Sequence, residues 1–124
     1  MTQSKSSPAR LTLPWPPKEL NPNFKSNHWG PKASATKKYR FAVKMLATQV
    51  KWDIPEEGPI YLEVEFYPPD RRPRDKDNMS SAFKAGQDGL ADAWKINDKR
   101  IDCTYKVSDQ VSGMVKVKLL GEKP

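Results

Sequence analysis

Residues 60–67, Ile60-Tyr61-Leu62-Glu63-Val64-Glu65-Phe66-Tyr67, place Ile, Leu, Val and Phe at every second position and Tyr or Glu between them. That period-two alternation is a β-strand with one face on a core and the other toward water. Pro55-Glu56-Glu57-Gly58-Pro59 precedes it and Pro68-Pro69-Asp70 follows, so the strand has sharp ends, because proline has no N–H to give to a sheet. Two more strands read the same way. Ile101 to Val107 and Val115 to Leu120 are joined by Ser108-Asp109-Gln110, with Gly113 near the end of the turn. Leu11-Thr12-Leu13 is a brief opening strand, stopped by Pro14-Trp15-Pro16-Pro17.

Between the strands the period changes. Ser34 or Thr36 caps a helix running to about Val50, with Tyr39, Val43, Leu46 and Val50 on its apolar face and Lys37, Lys38, Arg40 and Lys44 over much of the rest. A second helix has Asp77 as its N-cap and Met79, Phe83, Gly86, Leu90 and Trp94 at steps of three and four. The expected fold is therefore α+β, with a small mixed or mostly antiparallel sheet of about four strands and two main helices packed on it. The 124 residues form one domain, residues 1–9 reading as a flexible tail.

Composition narrows the classes of function. No stretch approaches the ~20 apolar residues of a membrane span, and MTQSKSSPAR lacks the apolar segment of a signal peptide, so a soluble cytoplasmic protein is expected. Cys103 is the sole cysteine and His28 the sole histidine, which excludes an intramolecular disulfide and a cysteine-rich zinc site and argues against zinc at His28. His28 lies in a long polar loop, residues 18–33, with Phe24 and Trp29, side chains able to stack on a base or close the loop. The net charge of +7 is uneven: residues 1–51 hold ten of the 22 Lys and Arg but only one of the 15 acids, Glu19. A basic field of this kind attracts a polyanion, and nucleic acid is the expected partner.

The chemistry concentrates where the central strand ends. Arg71-Arg72-Pro73-Arg74-Asp75-Lys76-Asp77-Asn78 sets two carboxylates two residues apart inside a basic run. On an extended backbone, Asp75 and Asp77 would point to one side and converge on one cation. Their hard oxygens suit Mg²⁺, with Mn²⁺ as a substitute, and Asp98 beyond the second helix is a third candidate ligand. An EF-hand loop is excluded, because Met79 would stand at a ligand position and Ser80 at the required glycine.

Several ordered motifs together resemble the RusA family of Holliday-junction resolvases, proteins typical of phages and prophages. They are Leu11-Thr12-Leu13-Pro14-Trp15-Pro16-Pro17, then Ser34-Ala35 with Tyr39-Arg40, then Pro69 through Asn78 against the family's RxRDxDN signature, and finally Lys84, Asp88-Gly89-Leu90 and Asn97-Asp98. The resemblance covers most of the chain. It implies a homodimeric, Mg²⁺-dependent crossover junction endodeoxyribonuclease of DNA recombination and repair, working without an organic cofactor in a bacterial cell. It also implies that Asp75, Asp77 and Asp98 are catalytic and hold the metal. The family's helix lysine usually follows the second Asp of the signature by four residues. Ser81 stands there in this chain, and Lys84 takes the role only with three additional residues between it and Asp77. Asn97 replaces a second acid common in the family beside the catalytic one.

On this reading Arg71, Arg72, Arg74 and Lys76, with Lys25, Lys32 and Lys37, hold DNA backbones, giving affinity and orientation without base sequence. Selectivity for a four-way junction then comes from two sites related by a dimer two-fold. The alternative is a non-catalytic protein that binds junctions or structured nucleic acid.

Overall fold

The computed structural model describes residues 10–22, 30–50 and 52–121. Four strands, β1 (Arg10–Pro14), β2 (Ile60–Tyr67), β3 (Ile101–Val107) and β4 (Met114–Leu120), form one mixed sheet in the order β1-β4-β2-β3. β4 runs antiparallel to both β1 and β2, and β2 pairs in parallel with β3 from Ile60–Ile101 to Phe66–Val107. Parallel neighbours need a crossover, and the helical segment between them supplies it. The fold is α+β, as expected.

Alternation along β2 is realised residue by residue. Ile60, Leu62, Val64 and Phe66 are buried, while Tyr61, Glu63, Glu65 and Tyr67 are half-exposed on the other face. Val115 and Val117 of β4 and Leu11 and Leu13 of β1 extend the apolar face. Each such side chain contributes about 1.5–3 kcal/mol by leaving water. The open face is polar: Glu63 lies between Lys106, at 3.3 Å, and Lys118, at 3.6 Å.

Three helices, α1 (Gly30–Thr48), α2 (Lys76–Ala82) and α3 (Lys84–Trp94), stand where two were expected, because the second is interrupted at Phe83. Phe83 has φ −86° and ψ 0°, and its ring lies so close to Gly86 that a Cβ there would meet it at 2.6 Å. The ring packs edge-on against Phe66 and Tyr39, and Tyr39 donates its hydroxyl to Pro14 O at 2.7 Å. α1 also begins earlier than Ser34 or Thr36. Pro31 sits in its first turn, where a missing N–H costs no helical bond.

α1 and α3 cross closely at Gly89. A Cβ on Gly89 would meet Arg40 O at 2.5 Å and Val43 Cβ at 3.0 Å, and backbone on both sides cannot yield. Gly89→Ala is therefore expected to cost about 1–3 kcal/mol through overpacking, despite alanine's better helix propensity. Urea unfolding with an unchanged m-value and a lower midpoint is the expected readout; a midpoint at or above wild type would contradict this contact.

Candidate active site

The segment leaving β2 is organised by Asp70. Its carboxylate accepts from the Arg72 backbone N–H at 3.0 Å, from Arg72 Nη2 at 2.9 Å and from Arg74 Nη1 at 2.8 Å. Hydrogen bonds from Arg74 and then Arg72 hold Asp70 well below the usual carboxylate range. Arg74 also donates to Arg72 O at 2.8 Å and stacks over the Trp15 ring at 5.6 Å, leaving only 12% of its side chain exposed. Of the arginines expected on DNA, Arg74 is thus committed to shaping the loop, whereas Arg71, Arg72 and Lys76 face solvent. Asp70 was not among the residues singled out by the sequence. Its signal was its place two and four residues ahead of Arg72 and Arg74.

Asp75 ends the loop and starts α2. It is extended, at φ −88° and ψ 128°, and its carboxylate accepts from the Asp77 N–H at 3.0 Å. Asp75, not Asp77, is therefore the N-cap, and the helix begins between the two acids. The expected extended alternation fails for this reason: Asp77 already lies in the first helical turn. Both carboxylates are nonetheless exposed, near the positive end of the helix dipole. A cleft of about 540 Å³ opens beside Asp75, lined also by Trp15, Arg72, Arg74 and Asn78.

Lys84 and Asp98 form a second group. Lys84 Nζ lies 2.9 Å from Asp88 and 3.0 Å from Asp98. Hydrogen bonds to Asp88 and then Asp98 raise the lysine's pKa, and the bond from Lys84 lowers that of Asp98. Asn97 caps the short 3₁₀ turn Asp98–Arg100, its side-chain oxygen accepting from Lys99 N at 2.9 Å. Asp92 belongs to the same groove, ion-paired to Arg40 of α1 at 2.6 Å.

Lys84→Met is expected to raise the Asp98 pKa back toward the ordinary carboxylate range. The pair's stabilisation is present above the unfolded pKa of Asp98 and lost as pH falls through its lowered folded value. A carboxyl-carbon NMR titration reads the shift; an unmoved Asp98 midpoint would contradict the pairing.

These groups do not converge within one chain. Asp75 follows the end of β2, whereas Asp98 precedes Ile101, whose parallel partner is Ile60 at the start of β2. Among the described residues no three His, Cys, Asp or Glu side chains are placed to hold one metal ion. The donors suit a hard divalent cation, but one chain alone does not assemble Asp75, Asp77 and Asp98 around it. Lys32 and Lys37 are exposed on α1, and Lys25, Phe24, His28 and Trp29 lie outside the described residues. No helix of the described residues is long and apolar enough to cross a membrane.

A small α+β domain that caps a helix with an acid at the end of a basic loop is the class defined by fold and site. No family model matches the chain. An uncharacterised protein of Xylella fastidiosa is 39% identical over 116 residues, covering 90% of this chain and 75% of its own length. Crossover junction endodeoxyribonuclease RusA of Escherichia coli K12 is 36% identical over 100 residues, 78% of each chain. RusA of Shigella sonnei matches to the same extent. The chain belongs to the RusA family.

Proposed function

We propose that this protein is a structure-specific endodeoxyribonuclease that resolves four-way DNA junctions by symmetric, Mg²⁺-dependent phosphodiester hydrolysis as a homodimer. The observation that carries this reading is the Asp75–Asp77 pair, exposed at the start of α2 with Arg72 and Lys76 beside it, in a chain 36% identical to named junction endonucleases. Because the third carboxylate is not beside this pair in one chain, Asp98 comes from a second copy. Asp75 and Asp77 of one chain with Asp98 of the other would hold the ion. When bound, Mg²⁺ neutralises phosphate charge and lowers the pKa of water. Arg71, Arg72 and Lys76 bind the flanking phosphates and orient the strand. Lys84, held by Asp88 and Asp98, lowers the Asp98 pKa further and brings positive charge to the acid it accompanies.

The test is a labelled mobile four-way junction, offered beside duplex of the same sequence, with and without Mg²⁺. Paired symmetric nicks in the junction, dependent on metal and absent from duplex, are the expected result. Junction binding without cleavage in Mg²⁺ or Mn²⁺ would replace this reading with that of a junction-binding protein.

A further inference from the structure

α1 carries apolar side chains on two opposite sides. Tyr39, Val43 and Ala47 are buried in the core, whereas Phe41 and Met45, one turn apart on the other side, are 60% and 45% exposed. Thr48 continues the same line, and its hydroxyl is taken up within the helix, donating to Lys44 O at 2.7 Å. Phe41, Met45 and Thr48 thus form a ridge at i, i+4 and i+7 that no other described element covers.

Cations border this ridge on both sides. Lys37 and Lys44 flank it toward Arg40, and Lys38 flanks it on the other side; all three lysines are exposed and form no ion pair among the described residues. Arg40 has its partner in Asp92 of α3. The sequence has no acid between Glu19 and Asp53, so α1 contains no counter-charge of its own. Like charges three and four residues apart, as at Lys37, Arg40 and Lys44, repel along a helix. The free face therefore combines exposed apolar surface with unneutralised positive charge, and one kind of occupant relieves both.

We propose that this face of α1 docks an acidic amphipathic helix of a partner protein, its apolar stripe on Phe41 and Met45 and its carboxylates on Lys37, Lys38 and Lys44. A helix presents anchors at i, i+3, i+4 and i+7, the spacing of the ridge, and acids on both borders of its stripe meet the cations on both borders here. Phe41 supplies a large rigid contact, and Met45 a pliable one that adapts to the partner's side chains. A nucleic-acid strand would use the lysines and stack a base on Phe41, but its phosphates offer nothing apolar to Met45, and the Thr48 hydroxyl hydrogen is already given to Lys44 O. This docking goes beyond junction cleavage and stands whether or not the chain cuts DNA.

The test uses a fluorescein-labelled peptide of about 18 residues, long enough to form a helix on contact, with glutamates flanking a leucine stripe. Anisotropy should give a Kd of roughly 10–100 μM at low salt. Phe41→Ala should raise it roughly tenfold, while a peptide of the same composition with its leucines scattered should not compete. Lys38→Glu combined with Lys44→Glu should weaken binding to a similar degree, and the peptide remade with lysine in place of glutamate should then prefer that variant to wild type. Circular dichroism melts confirm that each variant is folded. Absence of binding up to about 1 mM overturns the proposal, as does binding indifferent to Phe41→Ala, which is charge attraction alone. Loss of single-stranded or junction DNA binding in Phe41→Ala would assign the ridge to nucleic acid instead. A wild-type oligomer that Phe41→Ala dissociates in sedimentation equilibrium would assign it to a contact between copies, and either result overturns the proposal. Phe41→Ala should cut junctions as wild type does, so failure of the nuclease reading and failure of the docking face appear in different measurements.

Discussion

Asp77→Asn is expected to lower junction cleavage by about three orders of magnitude while leaving junction binding and the thermal midpoint nearly unchanged. The side chain is exposed and caps nothing, so neutralising it removes only a weak favourable contact with the helix dipole. Asp75→Asn should lose cleavage in the same way and keep its fold, because asparagine caps as well as aspartate; Asp75→Ala should lose about 1 kcal/mol of stability in addition. Asp98→Asn should also be inactive. Mixing the Asp77→Asn and Asp98→Asn proteins then distinguishes where each acid acts. If Asp98 serves the other copy, the mixed dimer contains one intact site and one site with both lesions, and it nicks one strand of each junction. If all three acids serve within one chain, both sites are defective and no nick appears. Single-strand nicks from the mixture are the expected result.

How the sequence already carried the sheet can be seen in β2. Its alternation gave the strand, its buried face and both limits, since prolines mark the ends. β3 and β4 followed from the same period to within a residue. What alternation does not carry is which strands are neighbours and in which direction. The parallel pairing of β2 with β3 depends on the helices between them lying across the sheet. The start of α1 was hidden for a different reason: Gly30-Pro31 is read as a loop, although proline is at home in a first helical turn.

The acidic pair and its basic frame were legible as composition and order, but not as geometry. Asp75 and Asp77 differ in backbone conformation because a helix begins between them, and nothing in two aspartates two residues apart announces that. The Lys84–Asp98 pair joins residues fourteen apart in sequence, which only the turn after α3 brings together. Lys95 makes that turn in the left-handed region, at φ 57°, with no glycine to signal it. Arg74 shows the converse. Its charge suggests phosphate, while its contacts with Asp70 and Trp15 make it a brace of the loop.

That brace and the acids depend on α2 being held at its angle, and Phe83 is the residue that holds it. Phe83 is fully buried at the joint between α2 and α3, its ring 6.0 Å from Phe66 of the sheet and 6.3 Å from Tyr39 of α1. It closes α2 with a backbone bond to Met79 O and accepts Gln87 N–H into α3, both at 3.0 Å. Phe83→Ala removes the ring shared by both helices and the sheet, and Gly86 beneath it cannot fill the space. The expected loss is about 3–5 kcal/mol, a large part of the ~5–15 kcal/mol that such a domain has in total. Phe83→Leu refills much of the volume without the edge-to-face contacts and should cost less than half as much. Urea denaturation measures both. If the joint sets the direction of α2 as well as stability, Phe83→Leu should also lower junction cleavage more than junction binding, at a temperature where the variant is fully folded. Equal losses in both would mean that Phe83 supports the fold without directing Asp75 and Asp77.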